Sequence, residues 1–127
     1  MEINNHTPYR LKHKPTGLYF KPLDGGSSNL SKRGKIYYND YVYNQLMKTD
    51  NQFQGFGYLE IFAYKSAHKK ETDYLFELGQ KIHNGEFPEL KLRYDYTDKH
   101  CVHMSIINNP DDWEKEYLNI TVETINP

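Results

Sequence analysis

The feature that most constrains this chain is a pair of alternating runs toward its C-terminal end. Leu90, Leu92, Tyr94 and Tyr96 alternate with Lys91, Arg93 and Asp95, and Val102, Met104 and Ile106 alternate with Cys101, His103 and Ser105. Successive residues of a strand point to opposite faces, so a period of two places one apolar face on a core and one polar face outward. Thr97-Asp98-Lys99-His100, between the runs, is turn-forming, and the pair reads as an antiparallel hairpin.

The same reasoning places the other elements. Tyr9 to His13 alternates, and Leu18 to Lys21 follows across Lys14-Pro15-Thr16-Gly17, whose Pro and Gly suit a tight turn, giving an opening β-hairpin. Pro22 to Ser28, with Asp24-Gly25-Gly26-Ser27-Ser28, can pack no core and is expected to be an exposed loop. Ile36-Tyr37-Tyr38 is expected to be a short strand. Asp40 is placed to cap a helix from Tyr41 to Lys48 that carries Val42, Gln45 and Leu46 on one side, although its tyrosines would also suit a strand. Asp50 to Gly57 is expected to be a loop.

Tyr58 to Tyr64 is apolar on both faces, as in a central strand covered twice. Tyr74, Leu75, Leu78 and Ile82 recur at helical spacing between Glu71 and His83, and Asn84-Gly85 stands where a left-handed cap belongs. Asn109-Pro110-Asp111-Asp112 is expected to open a short helix, after which Leu118, Ile120 and Val122 form a last strand, completing a C-terminal meander. Together these predict an α+β fold: a single compact domain over residues 1–127, mainly antiparallel sheet, with one or two helices packed on one face.

A chain of 127 residues can bury a core without a metal or disulfides, and twelve Tyr and six Phe supply large side chains to fill it. The single Cys101 points to a reducing compartment. No apolar stretch approaches the ~20 residues that cross a bilayer, and the first residues lack the regions of a secretion signal. A cytoplasmic protein with no membrane association is expected. Asn, Lys, Ile and Tyr make up 44 of 127 residues, which matches an AT-rich bacterial or phage gene.

Charge is segregated. Residues 1–48 carry eight Lys and Arg against three acidic residues, a net +5, whereas residues 49–127 carry eight against fourteen, a net −6. Such a split predicts a dipolar surface and favours a binding protein over a catalyst. Lys32, Arg33 and Lys35, just past the Gly/Ser loop, and Lys12, Lys14 and Lys21 on the hairpin are candidates for phosphate contact. Tyr37 and Tyr38 are candidates for stacking on unpaired bases. The plainer reading is a solvated turn leading into a strand. Asp111, Asp112, Glu114 and Glu116 surround Trp113. They complement a helix dipole, or they form a docking patch with Trp113 as anchor and carboxylates facing a partner's cations.

No motif names a reaction. Gly34-Lys35 is followed by Ile36, with Asn29 where a phosphate-binding loop has its first Gly. Gly55-Phe56-Gly57 is too short for a dinucleotide site. His103 and Ser105 match half of a two-histidine phosphoesterase, but the second half, needed so that one His is base and the other acid, is missing. His100, Cys101 and His103 do not form a zinc set, because adjacent strand residues face opposite ways. No catalytic residue, metal or cofactor is implied.

The segments Tyr9-Arg10-Leu11-Lys12-His13-Lys14-Pro15-Thr16-Gly17-Leu18-Tyr19-Phe20 and Asn29-Leu30-Ser31-Lys32-Arg33-Gly34-Lys35-Ile36-Tyr37 resemble the opening of small phage and prophage proteins. Within that group the chain is similar to anti-defence proteins, in particular anti-CRISPR inhibitors of type VI RNA-guided RNA nucleases. The resemblance covers roughly the first third and carries no residue-level motif. It implies a non-enzymatic inhibitor that binds a host nuclease or its guide RNA complex, with direct RNA contact. The alternatives are a free nucleic-acid-binding module and a phosphoesterase or nuclease centred on His103. Exposed tyrosines would serve a homodimer as readily as another partner.

Overall fold

A computed structural model describes residues 7–23, 28–48, 56–68, 70 and 73–118. In chain order these form β1 (Tyr9–His13), β2 (Tyr19–Phe20), β3 (Leu30–Ser31), α1 (Tyr41–Leu46), β4 (Tyr58–Tyr64), α2 (Asp73–His83), β5 (Leu92–Thr97), β6 (Cys101–Ile107) and β7 (Trp113–Tyr117). The fold is α+β, as the alternation predicts, but the strands divide into two antiparallel sheets. One has the order β3-β2-β1-β7 and the other β4-β6-β5. Their inner faces share one core, in which Leu11, Phe20 and Leu30 of the first sheet join Leu59, Ile61, Val102, Met104 and Ile106 of the second. Burying each of these large side chains stabilises the fold by about 1.5–3 kcal/mol.

Both hairpins form where turn chemistry allows. Gly17 adopts a φ of 74°, which a side chain resists, and its N–H donates to the His13 carbonyl at 2.8 Å. In the second hairpin Asp98 Oδ1 accepts from the N–H groups of His100 (2.7 Å) and Cys101 (2.9 Å). These bonds hold the Asp98 carboxyl below the usual range. Helix α2 ends as predicted, with Gly85 at a φ of 85°. The Glu86 N–H reaches the Lys81 carbonyl and the Gly85 N–H that of Ile82, each at 3.0 Å, the paired bonds of a Schellman cap.

Several expectations are corrected. Strand β4 is an edge strand, and β6 is the central one. The open edge of β4 is covered by Ser28 and Asn29, so the loop expected to stay exposed ends in Ser28, which is 2% exposed, and the next residue, Asn29, is fully buried. Residues 24–27 of that loop lie outside the described residues, as do most of the expected loop 50–57 and Glu71 of the expected helix. A β-bulge between Leu92 and Tyr94 breaks the alternation of β5: Leu92 faces Ile106 on the core side, while Tyr94 and Tyr96 face Ser105 and His103 on the outer side.

Residues 36–38 are not a strand but make a single bridge, from Tyr37 to Tyr9. Helix α1 stops at Leu46, and Asp40 stands at its N-cap position as expected but makes no side-chain capping bond. Its carboxylate instead accepts from Lys115 Nζ (2.9 Å) and the Tyr9 hydroxyl (3.0 Å), while Asn39 Oδ1 takes the Tyr41 N–H. The helix expected at Asn109 is one 3₁₀ turn, Pro110–Asp112, and the last described strand starts at once with Trp113. It pairs with β1 across the molecule and so closes no meander. Leu118 follows that strand, and Ile120 and Val122 lie outside the described residues.

Gly79 brings α2 onto the sheet. A methyl group there would overlap Val102 Cγ1 of the central strand. Gly79→Ala is therefore expected to cost about 1–3 kcal/mol in urea unfolding, and Val102→Ala in the same chain should return part of that loss.

His13 has no exposed surface. Its Nδ1 shares a 2.8 Å hydrogen bond with Thr16 Oγ1, its ring packs 5.0 Å from Trp113, and Nε2 lies 3.6 Å from Asp112 Oδ2. Burial depresses its pKa from 6.5 to about 4. The unfolded chain therefore takes up this proton first, and the contribution is complete above 6.5 and falls away as pH drops toward about 4. Acid titration of thermal unfolding should show a loss of up to about 3 kcal/mol from this group. Burial raises the Asp112 carboxyl, whose protonation works in the opposite direction. In NMR the His13 ring protons should hold their shifts through neutral pH.

Candidate nucleic-acid interface

The fold divides the basic residues singled out by sequence. On β1, Lys12 stands across from Glu114 and Arg10 across from Glu116 of β7. Arg10 Nη2 lies 3.2 Å from Glu116 Oε1, and Glu116 also accepts from the Tyr19 hydroxyl at 2.7 Å. Lys14 donates its N–H to the Asp112 carbonyl, which keeps its charge beside that carboxylate. The basic and acidic stretches thus meet in one sheet and offset each other, correcting the dipolar surface expected there. Asp111 and Glu114 are exposed and Asp112 is half-buried.

Two aromatic candidates belong to the core. Trp113 is 6% exposed, with its ring edge-on to Phe20 at 5.7 Å and its indole N–H donating to Asn108 Oδ1 at 2.7 Å. It is not available to anchor a partner. Tyr37 is buried against Tyr9, and burial pushes its hydroxyl up to about 12, so its face is closed to bases. Tyr38 remains exposed.

Lys32, Arg33 and Lys35 are exposed on the loop after β3. Gly34 there has a φ of 65° and lies so near β2 that a Cβ would fall 3.1 Å from the Phe20 carbonyl. Its N–H donates to Ser31 Oγ at 2.6 Å. The loop is thereby pressed against the sheet. Lys32 leads from it to α2: its N–H donates to the Tyr74 hydroxyl at 3.1 Å, and its Nζ sits 4.7 Å over the Tyr74 ring.

Tyr74 in turn borders a cleft of about 340 Å³ between β4 and the start of α2. Lys21, Lys65 and Lys70 line it together with Phe62, Ala63 and Tyr64 of β4, and no acidic residue does so among the described residues. Backbone bonds fix each cation's base. The Lys21 N–H donates to the Asn29 carbonyl (2.7 Å) and the Lys65 N–H to the His100 carbonyl (2.8 Å). Asp73 receives the Lys70 N–H at 2.9 Å and the Ser66 hydroxyl, tying down the turn before α2. Lysines on a rigid concave surface suit the regularly spaced charges of a phosphate backbone.

Lys65, Lys70, Phe62, Tyr64 and Tyr74 were not legible as site residues because only topology brings them to Lys21 and Lys32. The one sequence signal was the group of lysines ahead of α2.

His103 lies on the outer face of the second sheet. Its Nε2 is 3.2 Å from the Tyr94 hydroxyl, which donates to the buried Glu60 at 2.8 Å. Arg93 Nη2 meets the other Glu60 oxygen at 3.2 Å. The ring neighbours of His103 are Phe62 (4.9 Å), Tyr94 (5.3 Å) and Tyr96 (6.3 Å), not a second histidine. Among the described residues no three His, Cys, Asp or Glu side chains gather as metal ligands, and no helix is long and apolar enough to cross a membrane.

No protein-family model, curated protein or solved structure matches this chain.

Proposed function

We propose that this protein is a non-enzymatic inhibitor that binds an RNA-guided nuclease or its guide RNA complex and blocks productive RNA binding. The observation that carries the RNA contact is the cleft of Lys21, Lys65 and Lys70, lined by no carboxylate among the described residues and joined through Tyr74 to Lys32 of the basic loop. The choice of an RNA-guided nuclease rests on the resemblance of the first third of the chain to small phage proteins, together with the compact size, AT-rich codon usage and lack of an active-site motif that phage anti-defence proteins share. Nucleases of that kind hold RNA in a positively charged channel by its backbone. An inhibitor that grips exposed phosphates competes for the same groups, and the exposed Asp111 and Glu114 add an acidic surface for the channel wall.

The cleft also favours a second reading, a free nucleic-acid-binding module, since lysines need no protein partner to hold phosphates. Salt separates the two: a free module loses affinity steeply with salt on naked RNA, because binding is driven by counterion release.

The test is inhibition of guide-directed RNA cleavage, together with capture of the nuclease and its guide. Lys65→Glu with Lys70→Glu should abolish capture in a chain that keeps its melting temperature. Lys12→Glu with Lys14→Glu should have a smaller effect, because acidic neighbours already answer those charges. In RNA titrations, each cleft lysine removed should flatten the slope of log affinity against log salt by about 0.7. Full inhibition by the folded Lys65/Lys70 variant would remove the cleft from the mechanism.

A further inference from the structure

We propose that the outer face of the β4-β6-β5 sheet is a stacking platform for the unpaired bases of a single-stranded nucleic acid whose phosphates lie in the lysine cleft. This rests on the RNA-binding reading above and names the form of nucleic acid the site takes.

Strand register sets the face. Phe62 stands across from His103, His103 across from Tyr96, and Tyr64 across from Cys101. All lie on the side opposite Val102, where α2 packs. The bulge at Arg93 turns Tyr94 and Tyr96 to this side when unbroken alternation from Leu92 would have sent them to the core. The rings support one another edge-on. Phe62 is 5.0 Å from Tyr64 and 4.9 Å from His103, and Tyr94 is 5.3 Å from His103, with interplanar angles of 84–88°. Such contacts fix ring orientation and leave the outermost rings open. Tyr64 is 63% exposed and Tyr96 70%. Neither is held in the core, and the two border the same ring cluster.

Charge selects the occupant. Phe62 and Tyr64 are also among the residues that line the cleft, which places the ring cluster next to the lysines. The carboxylate on this face, Glu60, is 5% exposed and bound by Arg93 and Tyr94. Arg93 lies 3.9 Å over the Tyr58 ring and adds a cation to the same side. Aromatic rings beside cations that follow a phosphate backbone are the chemistry of single-strand recognition. Bases of a duplex stay stacked within the helix, and a flat sheet cannot reach their faces.

Fluorescence anisotropy with a labelled oligouridylate of about ten nucleotides, against a duplex of the same length, tests this. The single strand should bind more tightly than the duplex. Tyr64→Leu and Tyr96→Leu should each weaken it roughly tenfold, whereas Tyr64→Phe and Tyr96→Phe, which keep the ring, should bind as the parent does. Binding unchanged in both leucine variants but lost in Lys65→Glu/Lys70→Glu would overturn the platform and leave the RNA-contact reading standing. So would capture of an intact nuclease and guide complex by a protein that binds no oligonucleotide. If neither oligonucleotide nor complex bound, both readings would fall.

Discussion

Asn29 lies without exposed surface where the two sheets meet, and it completes both. Its carbonyl accepts from Lys21 at 2.7 Å, extending the ladder between β2 and β3. On the other side its N–H donates to the Glu60 carbonyl at 3.1 Å, and its Oδ1 accepts the Glu60 N–H at 2.7 Å. Ser28 Oγ takes the next outward N–H of β4, that of Phe62, at 2.9 Å. An edge strand left open carries a row of unpaired groups, costly if buried and adhesive if exposed. Here two short polar side chains stand in for a neighbouring strand. The clamp also fixes Lys21 beside Phe62, Tyr64 and Lys65, so the cleft exists because the sheets are joined at this point.

The charge split along the chain has a different outcome in space. β7 returns to pair with β1, setting Glu114 and Glu116 against Lys12 and Arg10, while Lys115 reaches Asp40 between the Tyr9 and Tyr43 rings. Ion pairs of this exposure add little stability, but they remove the first sheet from the list of strongly charged surfaces. Among the described residues no carboxylate lines the cleft, where Lys21 from the basic half joins Lys65 and Lys70 from the acidic half.

Local signals in the sequence were reliable where one residue's chemistry decides the conformation. Gly17, Asp98 and Asn84-Gly85 mark turns and a cap because φ > 0 or a short carboxylate is needed there. Long-range pairing was not legible. Trp113-Glu114-Lys115-Glu116-Tyr117 alternates like a strand, but its three charges and the preceding Asn-Pro-Asp-Asp suggested a helix start. The bulge at Arg93 left no signal, since Leu92, Tyr94 and Tyr96 alternate perfectly on paper. Tyr58 to Tyr64 looked central because apolar residues occupy both of its faces. Its outward rings instead face away from the core. Of the candidate site residues, Lys21 lines the cleft and Lys32 contacts its border at Tyr74, while Tyr37 and Trp113 supply core packing.

The account depends on the clamp that welds the basic hairpin to the aromatic sheet, and amide hydrogen exchange reads it directly. The N–H groups of Glu60 and Phe62 point away from β6 and have only Asn29 and Ser28 to protect them. The account predicts that both amides exchange as slowly as that of Met104 in the central strand. Rapid exchange at Glu60 and Phe62, with Met104 still protected, would show an open β4 edge and contradict both the joined sheets and the cleft built between them.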